Sequence, residues 1–176
     1  MTPDVTFDDL TGLPLTPGRI STFDMPSELR ADSALILINL VDFKAVNDRY
    51  GHASGDRVLA ELGRRLGAAG GDATVYREGG NSFLAFVEVA RSDDDVRAVA
   101  TQLRELIARP IVMDEGQIEI RTSIAAVRTA GGRSFRDLYA IVDHAAGAVR
   151  QNHWPEVLVA PSTATADTWY ERPHEQ

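Results

Sequence analysis

The stretch Ala34-Leu35-Ile36-Leu37-Ile38-Asn39-Leu40-Val41 constrains this chain most, because it is apolar at every position except Asn39. It is short and β-branched enough to read as a strand buried at the centre of a sheet. The rest of the chain must then supply neighbouring strands and helices to cover it. Asn39 needs its own explanation, since a buried amide left without a partner costs about 1–3 kcal/mol. It reads either as a core hydrogen bond or as a residue belonging to a site.

A second constraint lies downstream. Two β-prone runs, Thr74-Val75-Tyr76 and Phe83-Leu84-Ala85-Phe86-Val87, flank Arg77-Glu78-Gly79-Gly80-Asn81-Ser82 and read as a β-hairpin. Gly79 and Gly80 permit the positive φ of a tight turn and leave the backbone open to close approach by a ligand. The tip is neutral at Asn81 and Ser82.

The remaining pattern is mixed. Asp42 is placed to cap a helix from Phe43 to about Tyr50-Gly51. A second helix is expected after Ser54, with Val58, Leu59, Leu62 and Leu66 facing the core. Ser92 caps an acidic turn, Asp93-Asp94-Asp95, that opens a third helix ended by Pro110. Ile111-Val112-Met113 and Ile118–Ile124 read as one hairpin about Asp114-Glu115-Gly116. A helix from Ser134 towards Arg150 and a short strand, Val157-Leu158-Val159, follow. The order implies an α+β fold, palm-like, with a central mostly antiparallel sheet flanked by helices packed on one face. Residues 1–30, rich in turn formers such as Pro3, Gly12, Pro14 and Pro17, read as an irregular or short-helical lead-in. Residues 31–160 form the domain and 161–176 a loose polar tail.

Composition narrows the partners. A net charge of −8 and a pI near 4.9 disfavour docking on nucleic acid or an anionic membrane, though a local basic pocket can still take a nucleotide. With no cysteine there is no disulfide framework, thiolate metal site or cysteine nucleophile. No apolar run reaches membrane-spanning length, and Met1-Thr2-Pro3-Asp4 does not begin a signal peptide, so a cytoplasmic location is expected.

Phe43-Lys44-Ala45-Val46-Asn47-Asp48-Arg49-Tyr50-Gly51-His52-Ala53-Ser54-Gly55-Asp56 closely resembles the FKxxND…GHxxGD stretch of GGDEF domains, the diguanylate cyclases. Asp8–Pro14 is similar to the DxLTGLP segment of that family, and Arg77–Phe83 stands where RxGGDEF belongs. Thr122-Ser123-Ile124-Ala125 resembles the TxSxG strand, and Val142-Asp143-His144-Ala145 the AD-x-A helix. The resemblance implies the palm-like fold of nucleotidyl cyclases. It also implies the condensation of two GTP molecules to cyclic di-GMP, in which a divalent metal held by carboxylates neutralises phosphate charge.

Position by position, the resemblance puts the two aspartates of the DxD strand end on Asn39 and Val41. The third and fourth letters of GGDEF fall on Asn81 and Ser82. All four acids are replaced, so Mg²⁺ binding is expected to be weak or absent and catalysis lost, with Asn39, Val41, Asn81 and Ser82 as relic positions. The nucleotide side is better kept. The resemblance makes Asn47 and Asp56 guanine-reading residues, and Lys44, Gly79, Gly80 and Arg150 complete the implied nucleotide site. Arg150 stands for a phosphate-gripping lysine, while the arginine one turn later becomes Trp154. The RxxD inhibitory motif for cyclic di-GMP falls on Gly70 and Ala73 and is absent.

A structural alternative stands beside each role: Asn47 can close a helix end, and Asp56 can cap the next helix. Three functions follow. One is an inactive domain that still binds GTP or another guanine nucleotide and regulates a partner. Another is a nucleotide-independent dimerisation or interaction module. The third is a residual cyclase with unusual ligands.

Overall fold

The computed structural model describes residues 5–16, 32–69, 71, 73–114, 116–129, 133–152 and 157–165. Strand β1 (Ala34–Val41) is the centre of a five-stranded sheet of order β2-β3-β1-β6-β7. Its neighbours are β3 (Ser82–Val87) and β6 (Arg121–Arg128), both antiparallel to it. Outside them lie β2 (Ala73–Gly79), antiparallel to β3, and β7 (Val157–Ala160), parallel to β6. The mostly antiparallel sheet expected from the sequence is therefore present, flanked by helices.

The helices do not gather on one face. Alternate residues of β1 point to opposite sides of the sheet. Ile36, Ile38 and Leu40 meet α2 (His52–Gly67) and α3 (Asp93–Ala108) through Val58, Leu62, Leu66, Val96, Leu103 and Ile107. Leu35 and Leu37 meet α4 (Phe135–Asn152) through Leu138, Ile141, Val142 and Ala145. Both faces of β1 are thus sealed, which is why its run is apolar at both parities. Each fully buried Leu or Ile contributes roughly 1.5–3 kcal/mol relative to exposure.

Three local expectations change. The segment Ile118–Ile124 is not one strand: β5 (Gly116–Ile118) pairs only with β4 (Ile111–Met113), and β6 starts afresh at Arg121 on the main sheet. Helix α2 begins at His52, one residue after α1 (Phe43–Tyr50), with Gly51 at φ 84° as the corner. Asp42 precedes α1 but does not cap it; its backbone is left-handed at φ 56°, and its side chain lies on Arg121. By contrast, Ser92 caps α3, with Asp95 closing a reciprocal capping box.

The lead-in packs on the domain. Leu13 is buried in the core and Leu15 bridges Arg77 at the free edge of β2. Gly63 lets this segment lie on α2, since a Cβ there would stand 2.5 Å from the Thr11 carbonyl oxygen. Past β7, Ala164 is also buried.

Candidate functional site

The hairpin tip is a two-residue turn, Gly80-Asn81, with a bulge between Arg77 and Gly79. Gly79 and Gly80 take φ of 124° and 51°, so both use the freedom that only glycine has without strain. Arg77 holds the turn in place. Its guanidinium donates to the carbonyls of Gly80 and Ser82, lies 5.0 Å over the Phe83 ring, and stands 4.0 Å from the Asp8 carboxylate. Asp8 in turn accepts from the Thr11 amide and hydroxyl. Neither Arg77 nor Asp8 stands out as a site residue in the sequence. The available signals were their places as first residues of the stretches similar to RxGGDEF and DxLTGLP and, for Arg77, parity, because it follows Val75 on the inward side of β2.

On the α4 face, Ser82, Asn39 and Ser123 form a row across β3, β1 and β6, each the Cα partner of the next. The Ser82 hydroxyl donates to Asn39 Oδ1 at 2.5 Å. Asn81 Nδ2 donates to the Leu40 carbonyl at 2.7 Å, and the Leu40 amide donates back to the Asn81 carbonyl at 2.9 Å. The two neutral corners are thus bonded to their surroundings, and Asn39 has the partner its half-buried amide requires. Val41 follows on the same side of β1, with Arg121 as its Cα partner on β6.

This donor set does not suit Mg²⁺. A hard divalent cation that sheds water needs anionic oxygen to offset the lost hydration. The relic positions offer one amide oxygen already accepting a hydroxyl, an amide aimed nitrogen-first, a hydroxyl and a valine. Among the described residues no group of three His, Cys, Asp or Glu side chains could hold a metal ion.

On the other side of the hairpin tip, Lys44, Asn47, Asp56, Gly80 and Asn81 line one cleft of about 430 Å³, together with Phe43 and Leu59. Asn47 and Asp56 come from α1 and α2, brought together by the single-residue corner at Gly51. The Asn47 side chain lies directly over Gly55, where an added Cβ would fall 1.8 Å from its Oδ1. Asp56 is inside α2 and does not cap it, so the capping alternative falls. The helix-end alternative for Asn47 involves only its backbone, whose carbonyl accepts from Gly51 N–H at 2.8 Å. Lys44 Nζ rests on Asp48 at 2.6 Å, an exposed pair that costs little to rearrange. Gly79 and Arg150 are not among the residues lining this cleft; Arg150 is exposed in the last turn of α4. Gly70 and Trp154 lie outside the described residues.

The family described as "Diguanylate cyclase, GGDEF domain" matches residues 5–154. The chain belongs to the GGDEF family. Among curated relatives, this GGDEF domain is 33% identical over 142 residues to diguanylate cyclase DgcN of Escherichia coli, covering 78% of this chain and 35% of that protein. It is 33% identical over 147 residues to diguanylate cyclase VdcA of Vibrio cholerae, covering 80% of this chain and 42% of that protein. The chain therefore spans less than half the length of these relatives. Its fold matches the GGDEF domain of TpbB from Pseudomonas aeruginosa with a TM-score of 0.68 at 22% identity, covering 89% of this chain and 95% of that one. It also matches diguanylate cyclase SiaD of the same organism, solved with its activator SiaC. There the TM-score is 0.71 at 23% identity, covering 87% of this chain and 60% of that one. Among the described residues no helix is long and apolar enough to cross a membrane.

Proposed function

We propose that this GGDEF domain makes no cyclic di-GMP and instead binds a guanine nucleotide of the GTP type as a regulatory domain in bacterial nucleotide signalling. The observation that carries the reading is the Ser82–Asn39 hydrogen bond. The resemblance puts the family's metal-ligating acids on Asn39 and Asn81, both neutral here and both engaged in other hydrogen bonds, Asn39 with the Ser82 hydroxyl and Asn81 with the Leu40 carbonyl. Without anionic ligands there is nothing to gather Mg²⁺ or to favour ionisation of a ribose hydroxyl. The neighbouring cleft keeps Asn47 and Asp56, an amide and a carboxylate suited to the donor and acceptor edge of guanine.

The test pairs two measurements on the full chain. Incubation with GTP and Mg²⁺ or Mn²⁺ is expected to yield no cyclic di-GMP. Calorimetry is expected to give GTP binding that changes little with Mg²⁺ and is lost in Asn47→Ala. Formation of cyclic di-GMP would overturn the inactive assignment, and absence of heat with GTP, GDP and cyclic di-GMP would overturn the binding one.

One observation favours a second reading, a nucleotide-independent interaction module. The lead-in exposes Val5, Phe7 and Leu10 at 52%, 58% and 38%. That module would form a partner complex or homodimer indifferent to GTP and weakened by Phe7→Ser.

A further inference from the structure

The two positions read as a relic DxD strand end are neutral, and the charge beside them is an ion pair whose cation is Arg121. Arg121 opens β6 as the Cα partner of Val41. Its guanidinium donates to Asp42 at 2.6 Å, with both side chains about two-thirds exposed. Arg121, Asp42 and Val41 also line a second cleft of about 400 Å³ on the far side of α1. The start of α1 therefore divides the Asn47–Asp56 cleft from Arg121. Along α1, Asn47 is four residues from Phe43, roughly 6 Å at about 1.5 Å per residue, and Asp42 stands one residue beyond Phe43. That span is shorter than an extended nucleoside triphosphate.

We propose that Arg121 meets the ligand's phosphates in place of a metal ion, and that Asp42 is the counterion it exchanges for them. The proposal rests on the guanine-nucleotide reading above. A guanidinium is permanently charged and presents a planar fork that fits two phosphate oxygens at once. It can neutralise terminal phosphate charge where no carboxylate remains to recruit Mg²⁺. The exchange is inexpensive, because an exposed ion pair is worth little in water and Arg121 stays paired before and after. Asp42 also makes the arrangement conditional: a weak anion leaves the pair closed, while a multiply charged phosphate chain opens it. The chain's own carboxylate thus sets how much phosphate charge a ligand needs.

Calorimetry with guanosine, GDP and GTP in excess EDTA tests this on the full chain, using Arg121→Gln and Asp42→Asn; Asn suits the left-handed backbone at position 42. In the unmodified chain, affinity should rise from guanosine to GDP to GTP without metal. Arg121→Gln should lose about tenfold for GTP, the scale of one charge-assisted contact, and leave guanosine unchanged. Asp42→Asn should bind GTP several-fold more tightly. Equal affinities for guanosine and GTP, or an unaltered GTP affinity in Arg121→Gln, overturn the role of Arg121 while leaving the guanine cleft standing. No binding of any of the three compounds overturns both readings. Unchanged melting temperatures of the two apo variants exclude misfolding as the cause.

Discussion

A guanidinium as buried as Arg77, at 5% exposure, must find acceptors for its donors, and it finds them in the turn it supports. Replacing it with alanine leaves the Gly80 and Ser82 carbonyls and the Asp8 carboxylate without their partner. The cost should be about 1–3 kcal/mol, the scale of leaving buried acceptors without their donor, read as a lower urea midpoint at unchanged m-value. The same turn carries Asn81 and Ser82, two of the positions proposed above to have lost their acids, and that proposal turns on charge rather than on shape. The triple replacement Asn39→Asp, Asn81→Asp and Ser82→Glu puts three carboxylates where Asn39 and Ser82 now bond each other and Asn81 bonds the Leu40 carbonyl. Without metal those like charges repel, so the apo variant should melt below the unmodified chain. Added Mg²⁺ should then raise its melting temperature by several degrees while leaving the unmodified chain where it is, a difference scanning calorimetry would resolve. An unmoved triple variant would show that the backbone has lost the metal geometry as well as the acids.

At the scale of elements, α2 connects the parts of the molecule. Its Gly55 admits the Asn47 side chain and its Gly63 admits Thr11, so alanine at either position should do different damage. Gly63→Ala forces the lead-in off the helix against backbone atoms and should cost about 1–3 kcal/mol as overpacking. Gly55→Ala meets only a flexible amide, which can turn away, and should weaken guanosine binding more than it weakens the fold. Toward its C-terminal end, Glu61 accepts from Arg64 and Arg65, and Arg65 also donates to the carbonyls of Leu106 in the last turn of α3 and of Arg109 and Pro110 just beyond it. Hydrogen bonds from Arg64 first and Arg65 second hold the Glu61 carboxyl down from 4.5 to about 2. A carboxyl with a depressed folded pKa contributes stability above its unfolded value and loses it as pH falls towards the folded one. The stability advantage over Glu61→Gln should therefore be full above about pH 5, shrink as pH falls, and be lost as pH passes below about 2, as followed by thermal melts. Much of this scaffold was legible. The apolar run of β1, the glycine-centred hairpin and the Ser92 cap each carry a local signature that the tertiary structure honours. The misread elements share a different cause. Ile118–Ile124 keeps one alternation while its partner changes from β4 to β1, and Asp42 satisfies a capping rule that Arg121, 79 residues away, overrides. The β1 run, apolar at both parities, argues for helices on both faces and against the single covered face that the element order suggests.

For the whole molecule, the fold places one strand, β1, under both halves of the site. Its Asn39 and Leu40 touch the hairpin tip, and its end leads through Asp42 into α1, which carries Lys44 and Asn47. A ligand spanning the cleft therefore ties together α1, α2 and the β2–β3 turn. Each of these elements is packed on the shared core, so occupancy should register as global stability rather than as a local change. A ligand that binds only the folded state adds about 2.7 kcal/mol when present at 100 times its dissociation constant. For a domain of this size each kcal/mol moves the melting temperature by roughly 2–4 °C, so GTP at that excess should raise it by about 5–11 °C. Because the relic corners offer no carboxylate for Mg²⁺, the rise should persist in EDTA and should be abolished in Asn47→Ala. A thermal-shift series of GTP, ATP and cyclic di-GMP, with and without Mg²⁺, checks this. A rise that appears only with Mg²⁺ would overturn the metal-free binding argued from Asn39 and Asn81, and an equal rise with ATP would show that the cleft is not read through Asn47 and Asp56.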